Sequence, residues 1–208
     1  MIFHDTGLEG AFLIEIEKIS DERGFFARSW CHHEAAEHGI EVDWVQCNIS
    51  HNLRKGTLRG MHWQEPDFEA KLVRVTRGAI LDVIVDIRDG SPTRGQHYGA
   101  ELTAENRRAL FIPKGFAHGF VSLEDDTEIF YQMSEFYAKG QDRGFRFDDP
   151  AVGIEWPEGE KIMSDRDLAL PGFPACSGSR TPGSTSKRSW ARSTRSAGRS
   201  PGMGSVRP

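Results

Sequence analysis

The chain has 208 residues, 38% hydrophobic and 10% aromatic, which suits one soluble domain with a full core. Its formal charge is −5, no apolar run approaches the length of a membrane span, and the opening residues Met1 to Asp5 lack the basic and apolar regions of a secretory signal. Three cysteines without C-x-x-C spacing argue against a disulfide framework or a zinc site and fit a reducing, cytoplasmic setting.

The charge is uneven. Residues 174–208 carry one Lys, six Arg and no acidic residue, leaving 19 basic against 31 acidic residues in 1–173, a formal charge near −12. The segment is rich in Ser, Gly, Arg, Pro and Thr, so it lacks the apolar pattern that would offset its ordering entropy. An acidic body without a basic groove gives such an arm nothing to cooperate with on nucleic acid. The expected domain is 1–173, with 174–208 as a disordered or non-native appendage.

Residues 11–19 end in strict alternation and predict a strand; 21–24 form a turn, and 25–30 return as a second strand. Residues 32–38 predict a short helix closed by Gly39, with His32, His33 and His38 on its surface. Residues 46–64 read as strand, turn at Lys55-Gly56, and strand. Alternation puts Gln46 and Asn48 on one face of the first arm, and Leu58, Gly60, His62 and Gln64 on one face of the second, with Arg59 next door. A glycine inside a strand suggests close approach by a ligand or another backbone.

Strands follow at 71–76, with basic residues on both faces, and at 79–87, with Leu81, Val83, Val85 and Ile87 opposite Asp82 and Asp86. A turn at 89–92 leads to short strands at 98–103 and 108–112. Residues 113–120 deliver His118 from a loop into a strand, and 128–134 form the last one, with Ile129, Tyr131 and Met133 on one face. Roughly ten short, regularly spaced strands with few helices predict a sandwich or barrel. Near the end, Ser164-x-x-Asp167 resembles a capping box; Asp167 either caps a helix or fixes an imidazole.

Pro113-x-Gly115-x-x-His118 resembles the second motif of cupins, and Gly60-Met61-His62-Trp63-Gln64 stands where the first would be. Gln64 replaces that motif's second histidine and no matching glutamate follows, which leaves a poor donor set for a divalent metal. The closer resemblance is to the dTDP-4-dehydrorhamnose 3,5-epimerase family, over about residues 10–173. It rests on Asp21-Glu22-Arg23-Gly24-Phe25-Phe26, Gln46-x-Asn48-x-Ser50, the run from Gly56 to Gln64, Lys71-Leu72-Val73-Arg74, Gly90-Ser91-Pro92-Thr93, the run from Ile112 to Phe120, and Gly153-Ile154-Glu155-Trp156-Pro157.

The resemblance implies an all-β, cupin-like jelly-roll barrel with a few short helices. It implies a homodimer that epimerises C3 and/or C5 of a nucleotide-linked 4-keto-6-deoxyhexose without cofactor or metal. The family's base matches His62, its orienting carboxylate Asp167, its tyrosine acid Tyr131, and the lysine beside the enolate oxygen Lys71. Arg59, His118, Gln46 and Asn48 match residues that hold sugar and phosphates; Arg23 and Phe26 match an arm reaching into the partner's site. Arg28 stands where the family has a glutamate near the thymine, which opens the base to CDP or GDP sugars, and Gln132 replaces the usual lysine after the tyrosine. Two other readings are a sugar-binding cupin module without turnover and a metal-dependent oxygenase using His62 and His118. The joint presence of His62, Asp167, Tyr131 and Lys71 favours the epimerase. Neither a nucleic acid nor a membrane is an expected partner.

Overall fold

The structure is a computed structural model and describes residues 1–176. Two antiparallel sheets face each other. One runs in the order β1 (Ile2–Asp5), β2 (Phe12–Glu15), β10 (Ala109–Ile112), β7 (Lys71–Arg77), β12 (Thr127–Met133) and β5 (Gln46–Asn52). The other runs β13 (Asp142–Gly144), β6 (Leu58–Gln64), β11 (Phe116–Ser122), β8 (Ala79–Asp86) and β9 (His97–Thr103). A separate two-stranded ribbon pairs β3 (Ile19–Asp21) with β4 (Gly24–Phe26). The helices α1 (His32–Ala36) and α2 (Asp165–Leu168) are short. This is the expected cupin-like jelly roll.

Side-chain alternation builds three apolar layers. Leu13, Val73, Val75, Leu110, Ile112 and Ile129 of the first sheet meet Ile80, Ile84, Ala100, Leu102, Phe116 and Phe120 of the second. Opposite residues of the same strands pack outward. Leu72, Ala109 and Phe111 meet Ala35, Ile40, Trp30 and Trp44 on one side. Val83, Val85, Ile87 and Ala117 meet Phe145, Trp156 and Phe173 on the other. Strands buried on both faces explain why 79–87 reads as almost continuously apolar.

Two of the quoted motifs are structural. Ser91 and Thr93 donate hydroxyl hydrogen bonds of 2.5 and 2.6 Å to the buried Asp86 carboxylate. Trp156 donates its indole N–H to the Phe147 carbonyl at 2.8 Å.

Several expectations change. Residues 46–64 are not a hairpin: β5 pairs with β12 in one sheet, while β6 pairs with β11 and β13 in the other. The Lys55-Gly56 corner crosses between sheets, so its two arms form opposite walls of the interior. The strand predicted over 11–19 divides into β2 and β3, and that predicted over 25–30 reduces to β4. Of the tail at 174–208, only 174–176 lie within the described residues. The Pro174 carbonyl accepts a hydrogen bond from Arg94 Nη2 at 2.8 Å.

Candidate active site

At one end of the sandwich the apolar filling gives way to a polar cavity of about 630 Å³. The six-stranded sheet supplies Gln46, Asn48 and Ser50 from β5, Lys71 from β7, and Tyr131 and Met133 from β12. The five-stranded sheet supplies Arg59, His62 and Gln64 from β6 and His118 from β11. Arg166 and Asp167 of α2 close one side. The crossover at 53–57 is what lets one short stretch furnish both walls.

Strict alternation separates Arg59 from His62, but the structure brings both to the cavity. Along β11, His118 pairs with His62 and Phe120 with Arg59, so three steps on β6 face two on β11. This bulge in β6 re-aims Arg59 inward. Its Nε donates to Asn52 Oδ1 at 2.9 Å. Gly60 has φ +131°, and a Cβ there would lie 2.5 Å from the Gly119 Cα. The neighbour that requires glycine is thus the β11 backbone rather than a ligand.

Two of the cavity histidines are hydrogen-bonded to a carboxylate. His62 Nε2 lies 2.7 Å from Asp167 Oδ1, and His118 Nε2 lies 2.7 Å from Asp82 Oδ1. Burial works against ionising Asp167. The hydrogen bond and charge of His62, the Gly60 backbone N–H and Arg166 outweigh it and hold the carboxyl below its ordinary value. An ionised carboxylate only accepts, so His62 Nε2 is the donor in this contact, and the other ring nitrogen is not engaged by Asp167. The two sequence readings of Asp167 both hold in part. Its backbone N–H is capped by Ser164 Oγ at 3.1 Å, which frees the side chain for His62.

Burial also pushes the Tyr131 phenol up, against the pull of the Arg59 charge. The hydroxyl is therefore protonated at neutral pH and available as an acid. Lys71 is buried, with its ammonium 2.8 Å from Glu69 Oε1. Gln46 Nε2 donates to Asn48 Oδ1 at 3.1 Å, fixing two amides side by side on the wall.

Eight of the ten predicted site residues line this cavity. Arg23 and Phe26 do not. Arg23 pairs with Asp21 at the exposed tip of the β3–β4 ribbon, and Phe26 is 74% exposed. Arg28 also lies outside the cavity, on Glu34. Sequence reasoning missed Glu69 and Asp82. The alternation in 79–87 did put Asp82 opposite the apolar face, a signal that could have paired it with a histidine. Among the described residues, no group of three or more His, Cys, Asp or Glu side chains is arranged to hold a metal ion.

A jelly roll whose cavity sets a carboxylate-held imidazole, a half-buried phenol and a buried ammonium together has the parts of an acid–base enzyme. A family model described as dTDP-4-dehydrorhamnose 3,5-epimerase matches residues 5–174, and the chain belongs to that family. It is 45% identical over 168 residues to the dTDP-4-dehydrorhamnose 3,5-epimerase of Methanothermobacter thermautotrophicus, covering 79% of this chain and 90% of that one. Among solved structures, the dTDP-4-dehydrorhamnose 3,5-epimerase of Bacillus anthracis, with TDP and PPi bound, matches with a TM-score of 0.79 at 40% identity. That match covers 82% of this chain and 98% of that one. The dTDP-6-deoxy-D-glucose-3,5-epimerase of Legionella pneumophila, in complex with dTDP-4-keto-L-rhamnose, matches with a TM-score of 0.76 at 38% identity, covering 84% of this chain and 99% of that one.

Proposed function

We propose that this protein inverts C3 and C5 of a dTDP-linked 4-keto-6-deoxyhexose by proton transfer between His62 and Tyr131. The ketone acidifies the hydrogens on both neighbouring carbons. His62 takes one, breaking C–H, and the electron pair moves onto the ketone oxygen. The Lys71 ammonium stabilises that oxyanion. Tyr131 then protonates the carbon from the opposite face, and exchange with solvent restores both groups. Asp167 fixes the imidazole and stabilises its protonated form. Arg59, His118, Gln46 and Asn48 hold the sugar and its phosphates.

The observation that carries this reading is the Asp167–His62 pair sharing one cavity with Tyr131 and Lys71. The active form is a cytoplasmic homodimer in which the β3–β4 ribbon lends Arg23 and Phe26 to the partner's cavity. The exposure of Ile19 and Phe26, outside the cavity of their own chain, supports that role.

The test is incubation with the dTDP-linked 4-keto-6-deoxyglucose in deuterated water. One deuterium should enter at each inverted carbon, at C3 and at C5. Absence of exchange at both, with this sugar and with its CDP and GDP counterparts, would overturn the assignment. Light scattering of the purified protein checks the dimer.

A further inference from the structure

We infer that Glu69 is a positioning residue for the epimerisation, acting through Lys71; the inference rests on the function proposed above. Glu69 is buried, at 6% exposure, and lines the same cavity as His62 and Tyr131. A carboxylate there is unexpected, because a reaction that builds negative charge on a ketone oxygen is opposed by a nearby anion. The geometry resolves the conflict by committing both of its oxygens. Oε1 lies 2.8 Å from the Lys71 ammonium, and Oε2 accepts the Gln64 backbone N–H at 3.0 Å. The second contact anchors the carboxylate to β6, while Lys71 begins β7 in the opposite sheet. Glu69 thus bridges the two cavity walls.

Gln64 is fixed in turn, its side-chain oxygen accepting the Ala138 N–H at 2.9 Å. Lys71 is a flexible side chain with a buried head. Without a charge partner a buried ammonium is driven toward water, away from the oxygen it is to stabilise. Glu69 holds it in place.

The test is a double-mutant cycle on the full chain. Glu69→Gln keeps the side chain's shape and a carbonyl oxygen for the Gln64 N–H, and replaces the charged acceptor that faces Lys71 with a neutral amide NH2. Its kcat should fall about tenfold, less than the hundredfold typical of removing an oxyanion-stabilising donor itself. KM should stay within about twofold, since the phosphates are held elsewhere. Deuterium wash-in should fall in parallel with kcat.

In the Lys71→Met background, adding Glu69→Gln should cost no further activity, because the group it positions is gone. Unchanged kcat in Glu69→Gln would overturn the inference, as would an equal loss in both backgrounds. Both results leave the proposed function standing, since the wild-type protein still turns over. Absence of turnover in the wild type would overturn the proposed function, and this inference with it.

Discussion

The carboxylate of Asp167 and the imidazole of His62 meet at 2.7 Å although 105 residues separate them in the chain. The contact depends on a division of labour within Asp167. Ser164 takes its backbone N–H, starting α2, and the side chain is left for the histidine. Cap and dyad should therefore separate by mutation. Ser164→Ala removes the cap and should cost about 1 kcal/mol of stability, with modest loss of turnover. Asp167→Asn keeps the cap and removes the charge that orients and stabilises the imidazole. Its kcat should fall about a hundredfold or more. Steady-state kinetics beside chemical denaturation of both variants checks this.

The same carboxylate gives a pH signature. Its folded-state pKa is lowered, so it contributes stability above its unfolded value and loses it as pH falls through the folded one. The stability gap between wild type and Asp167→Asn should be widest near neutral pH. It should close in acid, below the ordinary aspartate value of about 4. Urea titrations across that range measure it. A gap that widened in acid would contradict the sign.

Much of the site was legible in the sequence, but not its assembly. His62, Lys71, His118 and Tyr131 sit on strands whose alternation is readable, and the family resemblance supplied their roles. The pairing of 46–64 was not readable, because Lys55-Gly56 marks a reversal equally well within a sheet or between two. The inward turn of Arg59 was hidden by a one-residue bulge, which breaks the parity on which face assignment depends. Glu69 gave no signal, since its partners lie on two different sheets. Arg23 and Phe26 stand outside the cavity of their own chain, so a single chain gives them no site.

Chelator-treated protein should keep full turnover. Gln64 replaces the second histidine of the cupin metal motif, and it is spent on the Ala138 backbone. His62 and His118 each give Nε2 to a carboxylate. Dialysis against a strong chelator followed by the deuterium assay tests this. Loss of activity rescued by iron or zinc would favour an oxygenase-type centre.

The chain beyond the domain should be dispensable. Truncation after Cys176 keeps the hydrogen bond between Arg94 and the Pro174 carbonyl and should leave melting temperature and kcat unchanged. Truncation after Phe173 also removes the carbonyl that Arg94 binds. It should cost about 1 kcal/mol, the usual worth of one hydrogen bond. Differential scanning calorimetry of the two truncations distinguishes them.

Arg28 should influence the choice of nucleotide base. It stands where the family's glutamate lies near the thymine, and here it pairs with Glu34 outside the cavity of its own chain. Arg28→Glu should strengthen binding of dTDP relative to CDP and GDP. Calorimetric titration of the three nucleotides against both forms measures the ranking. An unchanged ranking would mean that residue 28 does not contact the base.

The two residues proposed to transfer protons should fail in different ways. His62→Ala removes the base, so solvent deuterium should no longer wash into C3 or C5. Tyr131→Phe keeps the ring packed in the cavity wall and removes only the hydroxyl. The enolate should still form through His62, with Lys71 on the oxygen, but the proton can return only to the face it left. Deuterium should then appear with configuration retained, while net inversion falls about a hundredfold or more. Mass spectrometry reads the exchange, and proton coupling constants read the configuration. Burial holds the Tyr131 phenol protonated, so the wild-type enzyme should keep its inversion-to-exchange ratio constant from neutral pH up to the ordinary tyrosine range, about 10. Normal inversion in Tyr131→Phe would remove the tyrosine from the mechanism. Normal exchange in His62→Ala would remove the histidine, and with it the catalytic reason for the carboxylate that α2 brings to the cavity.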